Sequence, residues 1–109
     1  AGVFRVSERS FLENLRTLRA SVEATGANVV HFGFPLEREG YTAQHRRLLR
    51  LESEATGVPF YDPSPDIEQA SRAEQLYFEK DRGHPNAAGC DRIARGMLTF
   101  LEEQQLLFR

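Results

Sequence analysis

Residues 27–34 are Ala27-Asn28-Val29-Val30-His31-Phe32-Gly33-Phe34, and Pro35 ends the run. The run is mostly apolar, β-branched or aromatic, with no polar alternation. Such a pattern is typical of a strand that is covered on both faces, and strands of this kind are usually parallel and interior. A second, shorter run of the same type, Val58-Pro59-Phe60-Tyr61-Asp62, predicts a second strand.

An amphipathic helix is predicted before the first strand. Ser10 and Glu13 have the spacing of a capping box, so we expect the helix to begin at Ser10. Gly26 suits its C-terminal cap. The apolar residues of this segment repeat at helical spacing and share one face: Phe11, Leu15, Leu18 and Val22.

Three further helices follow from the same reasoning. Residues 41–56 form an amphipathic segment that Gly57 terminates, and residues 65–73 form a short helix with Ser64 as its N-cap. Asn86 is a good N-cap for a long C-terminal helix. The order strand, helix, strand implies a right-handed crossover between parallel strands, so the chain is predicted to be a single α/β unit over residues 1–109.

Composition excludes several classes of protein. The chain has 109 residues, a net charge of -2 and a hydrophobic fraction of 40%, which fits one globular domain. The near-neutral charge argues against an electrostatic nucleic-acid binder, and no apolar run approaches the roughly 20 residues of a membrane span. Cys90 is the only cysteine, and the three histidines lack a shared metal spacing, so we predict no disulfide, metal site or cofactor.

Asp81 and His84 are the pair most suited to catalysis. They lie three residues apart in a predicted polar loop just before the last helix, a spacing at which a carboxylate can meet an imidazole. Asp81 would accept a hydrogen bond from one ring nitrogen and fix the tautomer, leaving the other nitrogen to take a proton from a hydroxyl nucleophile. Gly83 permits the tight backbone path, although an Asp-x-x-His pair by itself is a weak signal.

The surrounding block, Gly83-His84-Pro85-Asn86-Ala87-Ala88-Gly89, opens an amphipathic helix and resembles the last sequence block of the SGNH (GDSL-type) hydrolases. The helix and strand pattern over roughly residues 8–102 is similar to the region that precedes and contains this block. The resemblance implies a three-layer α/β/α, flavodoxin-like fold and hydrolysis of acyl esters, including acylated glycans and lipids. It also implies that His84 is the general base and Asp81 its orienting acid.

The family's other blocks are absent from this sequence. No Gly-Asp-Ser nucleophile block and no Gly-x-Asn-Asp oxyanion block occurs, and Ser64 reads as a helix cap rather than a replacement nucleophile. Two parallel strands are too few for three substantial helices, so we expect the chain to be the C-terminal part of a domain. A missing N-terminal segment, or a second chain, would complete the sheet and supply the serine.

Three functions remain open at this point. The leading one is ester hydrolysis by a Ser-His-Asp mechanism; the alternatives are acyl transfer to a sugar or other alcohol, and a non-catalytic binding or structural domain of the same fold. The cellular compartment is not predicted.

Other side chains receive structural interpretations. Cys90 is expected to be a small buried residue and His31 a satisfied core histidine. The cluster of Arg46, Arg47 and Arg50 is expected to be a solvated face, since Glu52 and Glu54 follow it. Pocket walls are expected from the residues that follow the two strands, Leu36 to Gly40 and Asp62 to Asp66.

Overall fold

The computed structural model describes residues 7–35, 41–79 and 81–106, with the backbone alone at residues 41, 42, 81 and 82. The chain is a mixture of helices and short strands. In order, the elements are α1 (Glu8–Glu23), β1 (His31–Phe32), α2 (Tyr41–Thr56), β2 (Phe60–Tyr61), α3 (Ser64–Ala70), β3 (Tyr77–Phe78), β4 (Asp81–Pro85) and α4 (Ala87–Glu103).

Strands β1 and β2 are parallel, as the crossover rule predicts. His31 pairs with Phe60 and Phe32 pairs with Tyr61. The ladder is shorter than either apolar run, because regular pairing covers only two residues of each strand. The α/β class is therefore confirmed.

Helices lie on both faces of this small sheet. On one face, Phe32 and Tyr61 contact Phe100 of α4, with ring centroids 6.0 and 5.4 Å away. On the other face, the Arg50 guanidinium of α2 lies 5.9 Å from the Phe60 ring centroid. A Cβ added to Gly33 would lie 2.9 Å from side-chain carbons of α2, so only glycine fits this close approach.

Helix α1 lies beside α2 and is poorly covered. Phe11 stacks on His45 of α2 with ring centroids 5.2 Å apart. Further along, the Arg16 guanidinium forms two hydrogen bonds of 2.9 and 3.0 Å with the carboxylate of Glu52. No residue of α1 is buried, and Leu18 on its predicted apolar face is 61% exposed.

The helix ends follow capping chemistry, with one correction. The N-cap of α1 is Ser7, three residues before the predicted Ser10, because the Ser7 hydroxyl accepts from the Ser10 N–H. Gly26 and Gly57 adopt φ angles of 85° and 78°, the left-handed conformation expected after α1 and α2. Asn86 caps α4 as predicted, its side chain accepting from the Gly89 N–H at 2.9 Å.

The segment predicted as a polar loop before α4 is instead part of an antiparallel strand pair. Strand β4 pairs with β3, with Tyr77 opposite Pro85 and Phe78 opposite Asp81. Leu76, Tyr77 and Ile67 form the buried core beneath this pair, and Ile93 of α4 packs against it. Burial of the apolar residues of β3 therefore offsets the entropic cost of ordering β4. Strand β4 is polar, and no pattern in its own sequence predicts a strand.

The molecule is flat. Its radius of gyration is 15.3 Å, whereas a compact domain of this length has about 13 Å. Its principal extents are 43 × 42 × 19 Å. None of the helices in the described ranges is long and apolar enough to cross a membrane.

Candidate functional site

The residues that follow β1 and β2, residues 33–35 and 62–64, form what we call the carboxyl rim. Arg46 of α2 joins its two halves: one guanidinium nitrogen donates to the Phe34 carbonyl at 3.1 Å, and Nε lies 3.7 Å from the Asp62 carboxylate. The side chain of Arg46 is only 11% exposed. The prediction of a solvated arginine face is thus wrong for Arg46, while Arg47 and Arg50 are exposed as expected.

Asp62 organises the β2 half of the rim. Its carboxylate accepts from the Ser64 N–H at 2.9 Å and from Arg50 at 3.1 Å, and its side chain is 13% exposed. These bonds fix the turn into α3, and they occupy the Asp62 carboxylate with hydrogen-bond donors of the protein itself. Asp66, also expected as a pocket wall, is paired with Arg92 of α4 through two 3.0 Å hydrogen bonds. The other expected wall, Leu36 to Gly40, lies outside the described residues.

The strand pair β3–β4 is attached to the same rim. The buried Tyr77 hydroxyl donates a hydrogen bond to the Pro35 carbonyl, just after β1. Since Tyr77 pairs with Pro85, the residue after His84, this bond places the β4 strand at the carboxyl ends of the parallel strands. Ligands collect at this end of parallel sheets, so the location predicted for His84 is compatible with a site.

His84 lies in a bulge of β4. The register passes from the Tyr77–Pro85 pair directly to the Phe78–Asp81 pair, so residues 82–84 have no partner positions on β3. Bulges occur next to active sites, where they redirect a side chain. Asp81 and Pro85 bracket the bulge, and His84 is exposed. The Asp81 side chain lies outside the described part of the structure, so its orientation toward the His84 ring stays a prediction.

The junction between β4 and α4 is held by Asn86 and Gly89. The Asn86 N–H donates to the Leu76 carbonyl at 2.9 Å, and its side-chain amide donates to the Gln75 carbonyl at 2.9 Å. Gly89 is buried, and a Cβ there would lie 3.1 Å from the Leu76 carbonyl carbon and 3.0 Å from Cβ of Pro85. The block that carries His84 is therefore held on its C-terminal side by the contacts of Asn86 and Gly89.

The sequence predictions for Ser64 and Cys90 are wrong. Ser64 does not cap α3: it is the first helical residue, the N-cap is Pro63, and Ser64 Oγ is buried without a hydrogen-bond partner among the described residues. Pro63 precedes the turn and Asp62 already accepts the Ser64 N–H, which removes the need for a serine cap. Cys90 is exposed rather than buried, because Gly89 occupies the inward position of the first turn.

A buried polar cluster lies on the α2 face of the sheet. His31 is 8% exposed, as predicted for a core histidine, but its Nε2 has no hydrogen-bond partner among the described residues. Burial lowers the pKa of His31, partly offset by the Glu52 carboxylate. The hydrogen bonds from Arg16 lower the pKa of Glu52. Sequence reasoning missed Glu52 and Arg46 because their partners are distant in the chain.

The surface carries a cleft and a groove. A cleft of about 410 Å³ lies beside β3 and is lined by residues 71 and 73–79. A groove of about 340 Å³ lies between α1 and the approach to β1 and is lined by Leu15, Leu18, Arg19, Val22 and residues 28–31. Among the described residues, no three metal-ligating side chains cluster.

Comparisons of this chain with protein-family models, with curated proteins and with solved structures found no match.

Proposed function

We propose that the chain is the C-terminal part of an SGNH-type acylhydrolase domain of the three-layer, flavodoxin-like kind. In this proposal His84 is the general base, Asp81 orients it, and the serine and oxyanion donors come from a polypeptide segment outside residues 1–109. The observation that supports it best is the position of His84 in the bulged strand β4, whose partner strand β3 is hydrogen-bonded to the carboxyl rim through Tyr77.

The chemistry assigned to these residues is a two-step acyl transfer. His84 takes the proton of the serine hydroxyl while the serine oxygen attacks the ester carbonyl, and the same proton leaves with the departing alcohol. Water then repeats the sequence and releases the acid. Asp81 keeps the imidazole in the tautomer whose second nitrogen can accept the proton, and it stabilises the imidazolium between steps.

The completing segment would add to the free edge of β1. His31 and Gly33 donate their N–H groups to β2, so by strand alternation the backbone groups of Phe32 point to the opposite edge. Within residues 7–35, 41–79 and 81–106 no strand pairs with that edge. The groove beside it has aliphatic walls from α1, including the exposed Leu18. An extended strand would satisfy both the backbone edge and these apolar walls.

The test is hydrolysis of an acyl-nitrophenyl ester by the full-length protein. We expect His84→Ala to lower kcat by about 10⁶-fold and Asp81→Asn by about 10⁴-fold, as in other Ser-His-Asp enzymes. His45→Gln is the matched control, since His45 stacks on Phe11 of α1 and lies on a different element from β4. Wild-type turnover in His84→Ala, with the protein folded, would reject the proposal.

The same assay separates the two alternatives. Adding sugar or alcohol acceptors and analysing the products distinguishes a transferase, which forms a new ester, from a hydrolase, which forms the free acid. A folded full-length protein that forms neither product with any acyl ester supports the non-catalytic alternative.

A further inference from the structure

We propose that the Tyr77 hydroxyl is a positioning group for His84: it fixes the β3–β4 pair against the end of β1 and thereby sets where the imidazole stands relative to the serine. This inference rests on the proposed function, because it assigns Tyr77 a part in that reaction. Tyr77 is not assigned contact with substrate.

A hydrogen bond between Tyr77 and Pro35 attaches the strand pair to the end of β1. Tyr77 is 4% exposed, and its hydroxyl donates to the Pro35 carbonyl, 42 residues away in sequence. Pro35 directly follows the β1 segment that hydrogen-bonds β2, so its carbonyl has a fixed place on the carboxyl rim. Tyr77 thus links the bulged β3–β4 pair to the parallel β1–β2 sheet.

The β3–β4 pair is also attached to the start of helix α4. The Asn86 N–H and the Gln75 and Leu76 carbonyls hold β3 and β4 to the start of α4. Helix α4 packs on the sheet through Phe100, near its far end. Without the Tyr77 hydroxyl, the strand pair would still be held to α4 and would lose its bond to the end of β1.

The bulge makes this bond important for His84 in particular. The ladder register passes directly from Phe78–Asp81 to Tyr77–Pro85, so the Tyr77–Pro85 pair is the ladder position next to His84 on its C-terminal side. A displacement of about 1 Å at a reacting group costs on the order of 10²-fold in rate. Loss of the Tyr77–Pro35 hydrogen bond is therefore expected to lower kcat and to leave KM nearly unchanged.

The experiment compares Tyr77→Phe with Tyr61→Phe in the full-length protein, using nitrophenyl ester hydrolysis. Both changes remove a hydroxyl and keep the ring, but Tyr61 packs against Gly96 and Phe100 on the α4 face. We expect Tyr77→Phe to lower kcat about 10- to 100-fold per folded molecule with KM within about twofold, and Tyr61→Phe to change neither by more than about threefold. Circular dichroism gives the folded fraction.

A second variant, Pro35→Gly, tests the inference even if Tyr77→Phe does not fold. Pro35→Gly keeps the carbonyl acceptor and the tyrosine but releases the fixed φ of proline, so we expect a smaller fall in kcat with KM again preserved. Full kcat in both folded variants would overturn the inference while leaving His84 as the base. Full activity in His84→Ala would instead reject the proposed function itself, so the two failures are distinguishable.

Discussion

Replacing Gly89 by alanine should destabilise the protein, although alanine is the better helix former. The added Cβ would collide with the Leu76 carbonyl oxygen, and it would lie 3.0 Å from Cβ of Pro85 and 3.1 Å from the Leu76 carbonyl carbon. Carbon atoms pack at about 3.5–4.0 Å, so clearing the two carbons alone needs a movement of about 0.5–1 Å, and clearing the carbonyl oxygen needs a larger one. That movement also lengthens the 2.9 Å bond from the Asn86 N–H to the Leu76 carbonyl.

The size of the effect follows from two opposing contributions. Overpacking costs about 1–3 kcal/mol, and the gain in helix propensity returns about 0.5–1 kcal/mol. We therefore expect the free energy of unfolding to fall by about 1–2 kcal/mol and Tm by about 4–15 °C. Urea unfolding of the full-length protein, followed by circular dichroism, measures it.

The matched control is Ala94→Gly, at an exposed position of the same helix. It should lower stability by about 0.5–1 kcal/mol through helix propensity alone. If close packing did not restrict Gly89, Gly89→Ala would stabilise the protein by a similar amount. An increase in the free energy of unfolding of Gly89→Ala would therefore refute the claim that close packing restricts position 89.

Three more predictions concern stability. Gly96→Ala should lower the free energy of unfolding by about 1–2 kcal/mol after the same gain in helix propensity, measured in urea, since a Cβ there would collide with the Tyr61 hydroxyl and lie 3.0 Å from its Cζ; an unchanged midpoint contradicts this. Asn86→Ala should lower Tm through the loss of about 1 kcal/mol of N-cap stabilisation and of the amide bond to the Gln75 carbonyl, and Asn86→Asp should keep the cap, lose that bond and give an intermediate Tm. Burial lowers the pKa of His31, so the unfolded chain binds the proton more readily, and stability should fall as the pH drops below the ordinary pKa of 6.5. His31→Gln should remove that slope from a plot of urea midpoint against pH, and a slope that persists unchanged would assign it to another group.

The sequence contains enough information for the parallel strands and the main helix ends. Apolar runs such as residues 27–34 can be stable only when covered, and Asn86 caps a helix through a bond to a residue three positions away. Both are local signals. The N-cap of α1 is local too, but Ser7 and Ser10 compete for it, and the structure selects Ser7.

The features that sequence reasoning missed depend on distant partners. Strand β4 consists of polar and turn-forming residues, and it is ordered by pairing with β3 over a buried core. Arg46 looks like its exposed neighbours in sequence, and only the meeting of β1 with β2 places the Phe34 carbonyl and Asp62 around it. Near the candidate site, the Asn86 helix cap was predictable, whereas strand β4 and the Tyr77–Pro35 bond were not.

The measurement that tests the central claim most directly is active-site labelling of the full-length protein with a fluorophosphonate, followed by mass spectrometry of the modified peptide. Such probes phosphonylate a serine that a neighbouring base has activated. We expect one labelled serine, located outside residues 1–109, whose labelling is abolished by His84→Ala. Labelling of a serine within residues 1–109, or labelling that persists at the wild-type rate in folded His84→Ala, would contradict it.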